Sequence, residues 1–251
     1  LARVAVYARN QLQCVIASHL GETPDPHRNG EYSLLERLAP HCATFADVGA
    51  NRGMWSEHLL EHSAASGTLF EPGATSLAIL REKFRDGRAE VVPMVVSDEV
   101  GSVEFVEEGN SGEGSSAAET FDGNLPVRAR SVVPATTLDA FYGDGVRLDL
   151  LKVDTEGFDL KVLFGARRLL EQQRIRFIQF EYNSHWLGAG ASLRRAYRYL
   201  EGLGYRVFLI RSDGLYELDL AFWGDYFRYS NFFACREDSV GVVAPMLRGR
   251  L

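Results

Sequence analysis

Between Thr44 and Tyr182 the sequence repeats one unit: a short run rich in β-branched and aromatic residues, an acid, and usually a longer stretch with apolar positions three and four apart. A period of two and a period of 3.6 belong to different elements, so the alternation demands strands joined by crossover helices, and hence a parallel sheet. The spacing predicts strands over Thr44–Val48, Gly67–Glu71, Ala89–Ser97, Leu148–Asp154 and Arg176–Tyr182. Helices are predicted over Met54–Ser63, Ser76–Arg85 and Leu160–Gln173. Each strand ends on or beside an acid: Asp47, Glu71, Asp98, Asp154 and Glu181. One such acid is as well explained by capping of the next helix, but open parallel sheets bind ligands along this edge, and the set together points to a site.

The pattern changes after Val100. SVEFVEE and VRARSVV alternate with period two around the polar stretch GNSGEGSSAAET, which reads as an inserted antiparallel hairpin whose long loop is either a linker or a lid. A helix over Ser192–Leu203 and strands over Tyr205–Arg211 and Tyr229–Cys235 close the pattern. Residues 1–30 read as an amphipathic helical extension and residues 31–251 as a single domain. The missing initiator Met is expected of a trimmed or partial chain. Arg3, Arg9 and Asn10 interrupt the opening apolar run, leaving no transmembrane segment and no signal peptide. A net charge of −7 provides no basic footprint, so no nucleic-acid partner is expected. Cys14, Cys42 and Cys235 are far apart and unpaired in spacing, as in a cytoplasmic protein.

At the first strand-to-helix bend the chain reads FADVGANRGMWSEHLL, in which Gly49 and Gly53 let the backbone approach a nucleotide. A dinucleotide fingerprint would need glycine where Asn51 stands, which weakens an NAD-dependent oxidoreductase. The D-x-G-x-N-x-G arrangement resembles the first motif of class I methyltransferases that use S-adenosyl-L-methionine. The cofactor-binding set under that resemblance is Asp47, Gly49, Ala50, Asn51, Gly53, Glu71, Pro72, Ser97, Asp98 and Asp154, with Glu71 on the ribose hydroxyls and Asp98, assisted by Ser97, on the adenine amino group. Asp98 equally well initiates the turn to Gly101.

NGEYSLLERL, TTLDAFYG leading into LDLLKVDTEGFDLKVLFGARRLL, and the glutamate of FIQFEYN narrow the resemblance to the FkbM-type methyltransferase family over about Gly30 to Cys235. That resemblance implies an α/β, Rossmann-like fold: a mostly parallel seven-stranded sheet with a final antiparallel strand and an inserted β-hairpin. It also implies methyl transfer to oxygen on a small-molecule or glycosidic acceptor such as a sugar, glycolipid or natural product. A binding module that keeps the cofactor without chemistry is the other reading.

Methyl transfer to a hydroxyl needs an acceptor oxygen held in line and relieved of its proton. Asp154, Glu156, Glu181 and His185 are the candidate catalytic residues, with Lys152 a partner for one of the acids. Glu156 is alternatively a cap for the helix starting near Phe158, and His185 a surface loop residue. Substrate-binding candidates are Asn183, Trp186, Ser115 and Ser116. Trp186, Trp223, Tyr226, Phe227 and Tyr229 line a pocket or fill core. A divalent metal is possible but not favoured: Asp154, Glu156 and Glu181 have the oxygen ligands such a cation takes. His58 and His62 stand four apart on a helix, but with no third ligand evident they read as solvated helix-face residues.

Overall fold

The computed structural model describes residues 7, 12, 15, 23–108, 117 and 127–251. Tyr7, Leu12 and Val15 are helical. The rest of the expected amino-terminal helix before Thr23, together with Cys14, Ser115 and Ser116, lies outside the described residues. Among the described residues no helix is long and apolar enough to cross a membrane.

Helix α1 (Glu31–Leu38) buries Leu34, Leu35 and Leu38, and is followed by β1 (Thr44–Val48), α2 (Met54–His62), β2 (Ser66–Phe70), α3 (Ala74–Lys83) and β3 (Ala89–Val92). The strand expected over Ala89–Ser97 is broken, because Pro93 has no N–H to give to the ladder. The chain resumes as β4 (Val95–Val96), which pairs with the hairpin of β5 (Gly101–Glu108) and β6 (Val127–Thr136) in a separate three-stranded sheet. Helix α4 (Leu138–Tyr142) leads back to β7 (Leu148–Val153).

The helix expected over Leu160–Gln173 is also two: α5 (Asp159–Gly165) and α6 (Arg167–Glu171). Gly165 rests against the chain after β4, where a Cβ would stand 2.0 Å from the Ser97 carbonyl oxygen. The Asp139 carboxylate accepts from the Arg168 and Leu169 N–H groups (2.7 and 3.0 Å), creating a second capped start.

After β8 (Ile175–Tyr182) come α7 (His185–Gly188), α8 (Leu193–Gly202), β9 (Tyr205–Arg211), β10 (Gly214–Glu217), β11 (Ser230–Arg236) and β12 (Leu247–Arg250). The main sheet has nine strands in the order β12-β10-β9-β11-β8-β7-β1-β2-β3. Its seven strands from β9 to β3 reproduce the expected plan, with β11 antiparallel to both neighbours. The two additional strands extend the edge beyond β9: β10 returns antiparallel through a tight turn, and β12 pairs with β10.

The strand alternation sorts side chains between two cores. Ala46, Val48, Leu151, Val153, Ile178 and Phe180 face one, while Phe45, Leu150, Phe177 and Phe233 face the other with α1 and α2. On that second face the pattern turns polar toward the strand tips. Asp47, Lys152 and Gln179 are in register across β1, β7 and β8, and Glu181 is paired with Asn231 of β11. The sheet therefore presents a buried polar row directly behind the edge where the first two strand tips open.

Candidate active site

Two bends meet at the tip of β1. Gly49 has φ +83°, and a Cβ there would lie 1.8 Å from the Asp154 carbonyl oxygen, so only glycine allows the loops after β1 and β7 to touch. Asn51, also left-handed at φ +47°, donates its N–H to Glu71 Oε2 (2.8 Å) and accepts from Ser76 Oγ (3.0 Å). The Gly73 N–H donates to Glu71 Oε1 (2.6 Å), so both carboxylate oxygens are aimed by backbone donors and keep lone pairs for a ligand. Burial pushes Glu71 up to about 7, against the two N–H bonds that favour its charge.

A cleft opens over these groups. Gly49, Asn51, Asp154 and Thr155 line its polar end and Glu71 with Pro72 its side; Met94, Val95, Val96, Phe105 and Phe158 supply an apolar wall. Asp47 lies beneath, buried, with one oxygen accepting from Ser56 Oγ (2.6 Å) and Oδ1 without a hydrogen-bond partner among the described residues. Ala50 and Gly53 shape the bend without lining the cleft. The Ala50 N–H donates to the Phe70 carbonyl (3.1 Å), and Gly53 presses on Leu80 and Phe84. Ser97 and Asp98 are displaced from their expected place. Pairing of β4 with the hairpin carries the chain away, leaving Asp98 exposed in a different groove beside Phe164 and Arg195, where it accepts from Ser97 Oγ (3.0 Å).

The cleft fits S-adenosyl-L-methionine on its own chemistry. A buried carboxylate with free lone pairs suits ribose hydroxyls, an apolar wall suits a purine, and a glycine bend suits close backbone approach.

Beyond the tip of β7 the ionisable groups crowd. Carboxylate oxygens of Asp154, Glu156 and Glu181 lie within 4.8 Å of one another. They have the chemistry of a Mg²⁺ or Ca²⁺ site, with Lys152 Nζ already 2.9 Å from Asp154 Oδ2. Burial alone would lower Lys152, but Asp154 and Asp47 beside it outweigh that and hold it well up, so it stays charged. Glu181 is pushed well up by burial and by the charges of Asp154 and Glu156. Asn183 donates to Glu181 Oε1 (2.6 Å) and Glu156 Oε2 (2.9 Å), and its oxygen accepts from the His185 N–H (2.9 Å). His185 Nδ1 stands 2.7 Å from Glu156 Oε2.

Several expectations change here. Glu156 does not cap the following helix, whose N-cap is Phe158 and which has no side-chain cap; Asp159, its first residue, instead closes the preceding turn by accepting from the Thr155 and Gly157 N–H groups (3.3 and 3.1 Å). Glu156 instead occupies a left-handed backbone conformation, φ +51°, with its side chain toward Asn183 and His185. Burial pushes Asp159 up to about 7, helped by Asp154. Asn183 gives both amide donors to the acids and accepts the His185 N–H on its oxygen, so it organises this cluster. Trp186 is fully buried against Phe180 and Tyr182 and belongs to the core. Trp223, Tyr226 and Phe227 pack on that core as well.

One residue at the rear of the site, Glu31, escaped the sequence reading, and Tyr229, read there as pocket or core, shares Asn231 with it. Glu31, buried at the start of α1, accepts from Asn29 (2.5 Å), Gln179 (2.6 Å) and Asn231 (2.8 Å). The Tyr229 hydroxyl accepts from Asn231 Nδ2 (3.0 Å), and burial with the nearby Glu181 charge pushes it far up, so it stays protonated. NGEYS carries Glu31 in plain sight, but nothing local to it signals a destination on β8 and β11. The part of Phe105 and Phe158 in an apolar wall was likewise not read from the sequence.

A sheet of this strand order, with a glycine bend at the first tip and a ribose-suited acid at the second, defines a class I methyltransferase that uses S-adenosyl-L-methionine. The chain belongs to the FkbM methyltransferase family: the model of the methyltransferase FkbM domain matches residues 47–207, more than half of it. No curated protein matches the sequence. Solved structures similar to it include a TehB-like S-adenosylmethionine-dependent methyltransferase from Corynebacterium glutamicum (11% identity, TM-score 0.46, covering 94% of this chain and 99% of that one). A precorrin-6y C5,15-methyltransferase from Geobacter metallireducens is similar at 13% identity and TM-score 0.44 (82% and 88% covered). So is TrmK of M. capricolum in complex with S-adenosyl-homocysteine, at 9% identity and TM-score 0.44 (82% and 68% covered).

Proposed function

We propose that this methyltransferase acts on a hydroxyl oxygen of a small or glycosidic acceptor, with His185 as general base and Glu156 as its orienting carboxylate. The observation that carries the reading is the 2.7 Å approach of His185 Nδ1 to Glu156 Oε2, with Glu156 also on the wall of the cleft. A carboxylate on Nδ1 selects the tautomer that leaves Nε2 free to take a proton, and it stabilises the imidazolium that results. Asn183 ties both partners to Glu181 and so holds the pair in place before an acceptor arrives. When bound, S-adenosyl-L-methionine supplies an electrophilic methyl group. Gly49, Asn51, Glu71 and Asp154 would hold it, and Phe105 and Phe158 would keep water from it.

An alcohol is a poor nucleophile, so a placed base is worth about 10²–10⁴-fold. The concentration of carboxylates and the net charge of −7 both repel a phosphate backbone, which supports a sugar, glycolipid or natural-product hydroxyl over nucleic acid. The buried free thiols of Cys42 and Cys235 support a cytoplasmic setting.

The test is incubation with S-adenosyl-L-methionine and a panel of hydroxylated acceptors and RNAs, read by mass spectrometry for the gain of one methyl. His185→Gln is expected to lower kcat by about 10²–10⁴-fold while leaving S-adenosyl-homocysteine affinity unchanged. Methylation of RNA alone, or full turnover in the variant, refutes the reading.

A further inference from the structure

On the outer surface of α1 and α2, remote in role from the methyl-transfer machinery, two histidines and an acid converge. His58 and His62 lie one turn apart on α2, and Glu36 comes from α1. One ligand atom from each lies within 4.8 Å of the others. The sequence offered only the histidine pair; the packing of α1 on α2 brings the third donor. His58 is not a solvated side chain either. It is only 14% exposed and stacks flat on Tyr32, with ring centroids 3.8 Å apart and planes 6° apart.

The donor atoms are prepared in a specific way. His62 Nδ1 lies 2.9 Å from the His58 carbonyl oxygen. A carbonyl only accepts, so that nitrogen carries the proton and Nε2 keeps its lone pair. Histidine ligands are oriented by this kind of bond on the other ring nitrogen. His58 Nε2 stands 3.2 Å from Glu36 Oε1. Two ligands on a tetrahedral zinc ion, each ~2.0–2.1 Å from it, are separated by roughly 3.3 Å, so this pair already spans one edge of the polyhedron. The three ligand atoms already lie within 4.8 Å of one another, and the exposed Glu36 side chain can rotate to close on the ion while His62 keeps its bond to the His58 carbonyl and water completes the shell. Two imidazoles with a carboxylate suit zinc and its neighbours rather than Mg²⁺ or Ca²⁺, which take oxygen.

We propose that Glu36, His58 and His62 form a binding site for a zinc-class transition-metal ion that clamps α1 to α2. The ion replaces the proton otherwise shared between His58 and Glu36. The clamp holds the helix whose first residue, Glu31, reaches Gln179 and Asn231 behind the catalytic carboxylates. It is a structural site, independent of the acceptor's identity.

The experiment is titration of the full chain, stripped with chelator, with ZnCl₂ by calorimetry, together with thermal melts with and without zinc. One equivalent of zinc is expected to bind saturably and to raise Tm, while MgCl₂ does neither. Glu36→Ala and His62→Ala alter exposed side chains and leave the Tyr32 stack intact, so both are expected to fold. Each should weaken zinc binding by at least about tenfold and abolish the zinc-dependent rise in Tm. Both variants also leave Asp154, Glu156 and Glu181 untouched, so zinc held by those carboxylates would persist in them. Parent-like binding in both variants, or no saturable binding in the parent, overturns the proposal.

Discussion

Glu71→Gln separates the two roles of the acid at the tip of β2. Its carboxyl is 7% exposed, and burial raises it from 4.5 to about 7 despite N–H bonds from Gly73 and Asn51. The native state therefore holds this proton more tightly than the unfolded chain. Its contribution to stability is complete below about 4.5 and is lost as pH rises through about 7. At 1.36 kcal/mol per unit the change is about 3 kcal/mol. The amide variant has no such titration. Relative to the parent, E71Q should gain about 3 kcal/mol between pH 4.5 and pH 8, measured by urea denaturation across that range. Cofactor binding should move the other way. Losing a charged acceptor for the ribose hydroxyls costs ~1.5–3 kcal/mol, or roughly 10- to 100-fold in the Kd for S-adenosyl-homocysteine at pH 8. In the parent that affinity should weaken as pH falls below about 7, whereas in E71Q it should stay flat over the same interval. Calorimetric titration at several pH values reads both. Parent-like affinity in E71Q at pH 8, or the same pH dependence in both proteins, would refute the placement of Glu71 on the cofactor.

Gly49→Ala is expected to cost at least about 2 kcal/mol by denaturant melt and to abolish cofactor binding. The added Cβ meets the Asp154 carbonyl at 1.8 Å and the backbone is at φ +83°. Lys152→Met leaves Asp154, Asp47 and Glu31 without their buried counter-charge, a loss of about 3–5 kcal/mol at pH 8. Burial already raises Asp47 and Glu31, so their protonation at lower pH should return part of that stability, visible as a Tm gap from the parent that narrows on acidification. Trp186→Ala should lower stability by about 3–5 kcal/mol as a core truncation, with the acceptor KM of the surviving folded enzyme unchanged; a raised KM at parental stability would return Trp186 to the acceptor pocket.

Legibility followed the range of the interactions. Strand β1 was read with its observed bounds, and β2, β7 and β8 to within a residue, because period-two apolar runs between turn signals are local. The break at Pro93 was also local and could have been read from the missing N–H, yet its consequence was not: β4 leaves the main sheet for the hairpin, and Ser97 and Asp98 leave the cleft with it. The split at Gly165 depended on Ser97 lying against that turn and on a cap from Asp139, so no helical periodicity announced it.

What the sequence determined by itself was the glycine bend and the acids at the tips of β1, β2, β7 and β8, since backbone conformation and side-chain alternation are dictated by immediate neighbours. Only the tertiary structure decided which of those groups meet. Glu31 reaches Asn231 across 200 positions, Glu36 joins His58 across 22, and Trp186 disappears into the core while His185, next to it, turns to Glu156. Such meetings depend on strand register and on the packing of whole faces. A one-residue slip in either would send every polar side chain of the buried row to the opposite side of the sheet.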